Sequence, residues 1–550
     1  MTQPLPQNID VLVVGSGAAA IAGAITAARA GLSALIIEKT DNWGGTSALS
    51  GGGVWIPNNA FMRENGIDDP DDNALTYLNA VVEDAGPCTS PARKLAFVRY
   101  GREMVEFLRE TGFEWSFSNY FPDYYPKKPG ARPGRGLGAK VVDGKQLGAW
   151  QTTLRKSQSF PPLVFNSSDV FALISPMRTV KNFLTLLRIL AVSAGWRLSG
   201  RYPLSMGSAL VARLLMIAQR MHVALELNTP LLDLHEENGR IVAADVRHNG
   251  EIKRVNINRA VLLAAGGFAR NDRYRRQFQP VGADYSATHP GDTGDAIQIG
   301  EKLNAATALM DEAWWQPNVV MPDGKVNITL WERAMPHSII VDQRGERYMN
   351  EAEPYVDCGR HMLDRDRISP AVPSWLIMDA RHRKNYVFVT MPPGATPQKF
   401  IDAGFFIKAN SLDELAQKCK IEAQNLQRTV ARFNVMARNG VDEDFNRGNN
   451  AFDNSYGDPL VQPNPNLGPL EQAPFWAVRI YPGDIGTKGG LLTDENGQVI
   501  RTDGTLIGGL YAAGNSTASV MGRSYPGPGG TLGPALTFAY IGMRHAAGQL

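Results

Sequence analysis

Asp10-Val-Leu-Val-Val14 runs straight into Gly15-Ser-Gly17-Ala-Ala-Ala20, and Ala34-Leu-Ile-Ile-Glu38 follows after one short helical stretch. Strand, glycine turn, helix and a second strand ending on a carboxylate make the pattern of a dinucleotide-binding unit. Gly15 lets the strand turn tightly. Gly17, followed by Ala18 and Ala19, leaves backbone open to a pyrophosphate. Ala20 stands where a third glycine is usual, and a methyl group there still allows close helix–strand packing. The helix would aim free N–H groups and its positive dipole end at the phosphates. Glu38, with Lys39 beside it, is placed to take a ribose hydroxyl, and a carboxylate there repels a 2′-phosphate.

The next segment, Asn42-Trp-Gly-Gly-Thr-Ser-Ala-Leu-Ser-Gly-Gly-Gly-Val-Trp55, points to a flavin rather than a nicotinamide. An isoalloxazine must lie against bare backbone, which a second glycine loop provides. Gly44, Gly45, Thr46 and Ser47 can donate to phosphate and ribityl oxygens, and Gly51, Gly52 and Gly53 permit close approach of the ring. A plain flexible loop is the alternative, disfavoured by the concentration of small and hydroxyl residues right after the ribose position. Two later segments agree. Val261-Leu-Leu-Ala-Ala-Gly-Gly-Phe268, carrying Ala265, Gly266 and Gly267, reads as a buried strand after a two-stranded meander over 240–247 and 251–257. Gly509-Leu-Tyr-Ala-Ala-Gly-Asn-Ser516 ends on Gly514 and Asn515 and leads into Gly527-Pro-Gly-Gly-Thr-Leu-Gly-Pro534, with Gly530 and Leu532, then a helix from Ala535 to Gln549.

Bulk properties narrow the class. With 550 residues the chain exceeds one compact core, so two or more domains are expected. A net charge of +2 argues against nucleic acid as the main partner. Cys88, Cys358 and Cys419 are far apart and show neither metal-ligand spacing nor a disulfide framework, so no metal is expected and a reducing compartment is. The first residues show no basic n-region and no apolar h-region, which adds to the expectation of a cytoplasmic protein.

The four glycine-rich blocks, in this order, resemble the fumarate reductase/succinate dehydrogenase-type flavoproteins. The implied fold is α/β: a discontinuous Rossmann-like FAD domain (1–285 and 475–550) carrying an inserted α+β catalytic domain (286–474). No histidine lies in 44–55, so covalent flavin attachment is not implied. The Gly-Asp-Thr-Gly-Asp295 turn is similar to the flavin-side loop of that family, which adds Asp295 to the cofactor residues; His289 just before it reads as packing or substrate-adjacent.

A dicarboxylate clamp is missing where fumarate reductases have one. Instead Tyr525-Pro-Gly-Pro-Gly529 resembles the motif of the 3-ketosteroid Δ1-dehydrogenases, as do Phe121-Pro-Asp-Tyr-Tyr-Pro126, Gly345-Glu-Arg-Tyr-Met-Asn-Glu-Ala-Glu-Pro-Tyr355 and Ile480-Tyr-Pro-Gly-Asp-Ile-Gly-Thr-Lys-Gly-Gly490. The resemblance covers the chain except roughly 157–222. It implies that the Tyr525 hydroxyl and the Gly529 N–H polarise the C3 carbonyl, each such donor being worth ~3–4 kcal/mol at the transition state. It implies Tyr355 as the base at C2, with hydride passing from C1 to the flavin, and Tyr124 as the proton relay. The choice of Tyr124 over Tyr120 and Tyr125 rests on the Pro-Asp-Tyr match. A phenol of pKa ≈ 10 must be lowered to act as a base near neutrality. The same chemistry leaves a 3-ketosteroid Δ4-(5α)-dehydrogenase, a fumarate or ene reductase, and a flavin electron carrier as other readings. Trp314, Trp315 and Trp331 either line a steroid slot or belong to the core.

Residues 157–222 stand apart. One acid, Asp169, faces Arg178, Lys181, Arg188, Arg197, Arg201, Arg213 and Arg220, and Val180, Phe183, Leu184, Leu187, Ile189 and Leu190 share one helical side. This is the profile of an interfacial helix on anionic lipid, with a buried hairpin carrying a solvated basic face as the other reading. The uncharged run is too short to span a bilayer, which takes ~20 residues. Peripheral membrane contact would suit side-chain-bearing steroids such as cholest-4-en-3-one, and a quinone-like electron acceptor.

Overall fold

The computed structural model describes residues 5–118, 121–157 and 162–550. Tyr120 therefore lies outside the described residues, as do 158–161. The chain folds around two sheets. In the first, strands Ala224–Glu226, Ala34–Ile37, Asn8–Val14, Glu251–Leu263 and Leu506–Ala512 lie side by side and parallel. Val11, Leu12 and Val13 are fully buried, as a parallel strand covered on both faces requires. The expected meander is present: Arg240–His248 runs antiparallel to Glu251–Leu263. Helix Ala18–Arg29 follows the first strand, and the C-terminal helix, Leu532–Ala546, packs against it.

The second sheet is antiparallel, in the order Val326–Ile328, Ala313–Val320, Phe475–Thr487, Ser374–Met378, Ser338–Val341. Phe475–Thr487 is its long central strand. The sequence reading assigned everything from 475 onward to the cofactor domain; by pairing, the chain rejoins the first sheet only at Gln498–Ile500. The cause is nonlocal: this strand takes its neighbours from 313–320 and 374–378. The fold is thus an α/β domain built on the parallel sheet, with an inserted α+β domain.

The segment 157–222 is not one insertion. Helix Val180–Leu198 is largely exposed, with Val180 at 77% and Leu184 at 57% exposure. Ile189 departs from the expected exposed stripe: it is buried, on the same inner side as Ser193. Helix Met206–Arg220 is core, with Leu210, Val211, Leu214 and Leu215 buried and its side packed on Ala18–Arg29. Its arginines are tied to backbone: half-buried Arg213 donates to the carbonyls of Lys140 and Val141, and exposed Arg220 to that of Thr111.

The start of Met206–Arg220 also buttresses the second glycine loop. A Cβ on Gly207 would lie 2.2 Å from the Ser47 carbonyl oxygen and 2.6 Å from that of Ser50. Alanine normally stabilises a helix by roughly 1 kcal/mol over glycine. Here the clash is with backbone that cannot give way, and overpacking of this kind costs about 1–3 kcal/mol, which opposes that gain. Gly207→Ala is expected to lower Tm and the FAD-to-protein absorbance ratio; a raised Tm with full flavin content would contradict this packing.

Candidate active site

One cavity of about 740 Å³ joins the first glycine turn to the aromatic residues of the inserted domain. The first strand ends on Gly15, whose φ is +102° and whose Cβ would meet the Ala264 carbonyl oxygen at 2.5 Å, so only glycine can make this turn beside the neighbouring strand. Gly15, Gly17, Ala18 and Ala19 form the adjoining cavity wall. Glu38 is buried at the end of Ala34–Ile37. It accepts from the Ser16 hydroxyl at 2.6 Å and from the Thr40 N–H and hydroxyl, each at 2.9 Å. Ser16, between the two glycines, also accepts from the Gly44 N–H. It orients the carboxylate, although the sequence reading assigned it no role; a hydroxyl inside the turn facing an acidic strand end was the available signal. Arg155, likewise not singled out, lies on the cavity wall and donates to the Thr40 hydroxyl at 3.0 Å.

The second glycine loop supplies Gly45, Thr46, Ser47, Gly51, Gly52 and Gly53 to the same cavity. Ser47 Oγ accepts from the first N–H of the helix, at Ala18. From the later segments come Ala265, Gly266, Gly514, Asn515, Gly529 and Leu532. Lys39 and Asp295 both reach the wall and pair with each other at 2.6 Å. Three expected cofactor residues do not line it. Gly44 lies beneath, where a Cβ would press on Ala48 at 2.9 Å. Gly267 packs on Thr487, where a Cβ would sit 2.0 Å from the hydroxyl. Gly530 turns inward, its N–H bonded to the Gly527 carbonyl.

Tyr124, Tyr355 and Tyr525 are all nearly buried and all line the same cavity. Their ring centroids are 5.8 Å (124–355), 5.2 Å (124–525) and 5.1 Å (355–525) apart. Tyr355 is the first residue of helix Tyr355–Asp366. Tyr525 is fixed through both flanking carbonyls: that of Ser524 accepts from Lys488, and that of Pro526 accepts from the Tyr77 hydroxyl at 2.6 Å and the Tyr124 N–H at 3.0 Å. Tyr125 points elsewhere, donating to Asp357 at 2.8 Å.

The electrostatics differ from the sequence expectation. A lowered Tyr355 phenol was anticipated; burial instead holds it well above the ordinary value, and the Tyr124 and Tyr525 hydroxyls add to the shift. Tyr124 is raised as well, again chiefly by burial. His289 lines the cavity and is pushed down to about 3 by burial and by Arg155, Lys39 and Arg270, so it stays neutral. Of the three tryptophans, Trp331 is on the cavity wall, Trp314 stands edge-on to Tyr525 at 5.1 Å, and Trp315 is buried under Arg275.

The residues present fit a flavin dinucleotide. Thr46 Oγ1 is buried without a hydrogen-bond partner among the described residues, and Gly53 keeps Pro528 close, a Cβ there lying 3.4 Å from its carbonyl oxygen. No group of metal-ligating side chains occurs among the described residues. Glycine turn, ribose-side acid, second glycine loop and C-terminal helix around one cavity define an FAD-dependent oxidoreductase, and residues 10–532 match the FAD binding domain family. The chain is 41% identical to 3-oxosteroid 1-dehydrogenase of Mycobacterium tuberculosis (strain ATCC 25618 / H37Rv), over 99% of each chain. It is 35% identical to 4-oxocyclohexanecarboxylate 2-dehydrogenase of Sinomonas cyclohexanicum, over 98% of this chain and 93% of that one. The crystal structure of 3-ketosteroid delta1-dehydrogenase from Sterolibacterium denitrificans, in complex with 1,4-androstadiene-3,17-dione, has a TM-score of 0.94 at 36% identity, covering 99% of this chain and 100% of the other. The chain belongs to the 3-oxosteroid 1-dehydrogenase family.

Proposed function

We propose that this protein desaturates the C1–C2 bond of 3-ketosteroids, with Tyr525 and Gly529 binding the C3 oxygen, Tyr355 taking the C2 proton and Tyr124 relaying it. The observation that carries the reading is three buried phenols packed on each other in the wall of the cofactor cavity. The names of the relatives support it: the steroid enzymes and the cyclohexane enzyme share desaturation of a ring bearing a ketone. The Tyr355 phenolate takes the C2 proton and becomes O–H, and the C2–H electron pair is held as the enolate on the C3 oxygen; it becomes the C1–C2 π bond as hydride leaves C1. FAD, when bound, would supply the two-electron oxidant that takes up that hydride. A carbon acid next to a ketone ionises only if the oxygen is stabilised as it gains charge. A phenol donor and a backbone N–H meet that need, and they do so without reorganisation because the Ser524 and Pro526 carbonyls hold the loop.

The high phenol at Tyr355 sets the pH behaviour. A base with a raised pKa is mostly protonated at neutrality, so its active phenolate fraction grows as pH rises.

Membrane contact is part of the proposal. Val180, Leu184, Leu187 and Leu190 are exposed on one helix, with Lys181 and Arg188 beside them, a surface suited to an anionic bilayer. Among the described residues no helix is long and apolar enough to cross a membrane. Docking there would give access to side-chain-bearing steroids and to a quinone-like acceptor.

Three outcomes are expected. Tyr525→Phe should lower kcat on androst-4-ene-3,17-dione, assayed with an artificial acceptor, by about 10²–10³-fold with FAD retained; unchanged turnover would remove the oxyanion role, and product from a 5α-reduced analogue instead would shift the reading to Δ4 chemistry. The kcat/KM profile should rise with pH at about tenfold per unit through neutrality, and a plateau already reached by about pH 6 would exclude the Tyr355 phenol as base. Leu184→Asp with Leu187→Asp should abolish co-sedimentation with anionic vesicles while leaving activity on soluble steroid unchanged; equal partition of variant and parent would sink the membrane contact.

A further inference from the structure

The Gly-Thr-Lys-Gly-Gly segment at 486–490 does not line the cofactor cavity. Lys488 follows strand Phe475–Thr487 directly and is fully buried. Burial holds its amine well below the ordinary lysine value, and N–H groups withdrawn from water need partners whether or not the amine is charged. Its Nζ donates to the Ser524 carbonyl at 2.8 Å and lies 4.5 Å from the centre of the Trp314 ring. Trp314 is itself anchored, donating from its indole N–H to Asn515 Oδ1 at 3.1 Å, and its ring meets that of Tyr525 edge-on at an interplanar angle of 89°. One amine therefore grips the residue before Tyr525 and also backs the ring beside it. The surrounding charges are already engaged: Glu312 takes both Arg360 and Arg523, and Asp357 accepts from Tyr125. A methionine would fill the same space with no desolvation cost. The presence of a lysine is explained by what its N–H groups hold.

We infer that Lys488 is a positioning residue for Tyr525: it fixes the phenol's hydroxyl in the orientation the C3 oxygen requires, and it acts on turnover through that phenol alone. The inference rests on the proposed role of Tyr525 and extends it. Small displacements of such a donor weaken transition-state binding far more than ground-state binding.

The test is a double-mutant cycle on FAD-loaded enzyme: Lys488→Met, Tyr525→Phe and the two combined, assayed with androst-4-ene-3,17-dione and an artificial acceptor. Lys488→Met is expected to lower kcat on the order of tenfold to a hundredfold, with KM within about twofold of the parent. The combined variant is expected to be no slower than Tyr525→Phe alone, because the group Lys488 positions is already gone. Lys488→Met with the parent's kcat overturns the inference while leaving Tyr525 in its role. Full additivity in the combined variant overturns it as well, since Lys488 then acts by another route. Unimpaired Tyr525→Phe overturns the role of the phenol and this inference with it. If Lys488→Met does not accumulate as folded holoenzyme, Trp314→Leu removes the other half of the support and is read in the same cycle with the same criteria.

Discussion

The backbone of Gly529 lies directly on that of Gly53. A Cβ at 529 would meet the carbonyl carbon and oxygen of Gly53 and the nitrogen of Val54 at 2.4–2.5 Å, and φ at 529 is +102°. Both facts exclude a side chain there. The Trp55 N–H closes the contact by donating to the Gly529 carbonyl at 3.2 Å. Two loops from opposite ends of the chain are thereby held at backbone distance. One follows the ribose-side acid and the other carries Tyr525 and leads into the C-terminal helix. Any wedge between them would move the phenol away from the cofactor cavity and from Tyr355 together, so the approach of these two loops underlies every later feature of the site.

A buried charge network ties Tyr124 to the same contact. Arg135, almost fully buried, grips Asp69 with two donors at 2.6 and 2.8 Å and Asp123 with a third at 2.7 Å. Asp123 also accepts from the Trp55 indole at 2.8 Å. Burial pushes the Asp123 carboxyl up to about 6, with Arg135 pulling in the opposite sense. Such a network costs desolvation free energy and returns orientation more than stability. Here it links the residue preceding Tyr124 to the glycine loop through Trp55. Tyr124 and Tyr525, two of the three phenols in the cavity wall, are thus indexed to a common piece of backbone.

How much of this was legible in the sequence follows from the range of the interactions. The strand–turn–helix–strand unit is local, so Gly15, Gly17 and Glu38 could be placed from spacing and periodicity alone. The second glycine loop was readable for the same reason. Gly44 and Gly267 illustrate the limit: a glycine can be required by a neighbour behind the wall as well as by a ligand in front of it, and composition does not separate the two. The strand 475–487 was grouped with the cofactor domain, and its pairing with 313–320 and 374–378 was not visible because those partners lie far away in sequence. The tyrosines were located by motif resemblance, yet their electrostatics were not. A lowered phenol was expected from what a base needs, whereas the surroundings of Tyr355 are other phenols and apolar rings, which favour the neutral form. Lys488 sat in a quoted motif without a role because its partner is a backbone carbonyl, invisible in any pattern of side chains.

The two helices at 180–198 and 206–220 make the same point in reverse. Both are apolar on one side and flanked by arginines, and the sequence reading treated them as one basic amphipathic unit. What separates them is the surface each meets. Met206–Arg220 lies on the helix of the first βαβ unit and under the second glycine loop, and its arginines find carbonyls of neighbouring turns. Among the described residues, Val180–Leu198 buries Ile189 and Ser193 and leaves Leu184, Leu187 and Leu190 exposed. Arg178, just before it, is held by Asp458, which also accepts from Tyr386. The exposed helix is thus moored to the inserted domain at its N-terminal end, and the short helix before it, Val170–Ile174, contributes Val170 and Phe171 to the cavity wall. The leucines of 180–198 stay uncovered because the side that meets the core is the one carrying Ile189 and Ser193, so exposure here follows from which face the neighbouring elements leave free and not from composition.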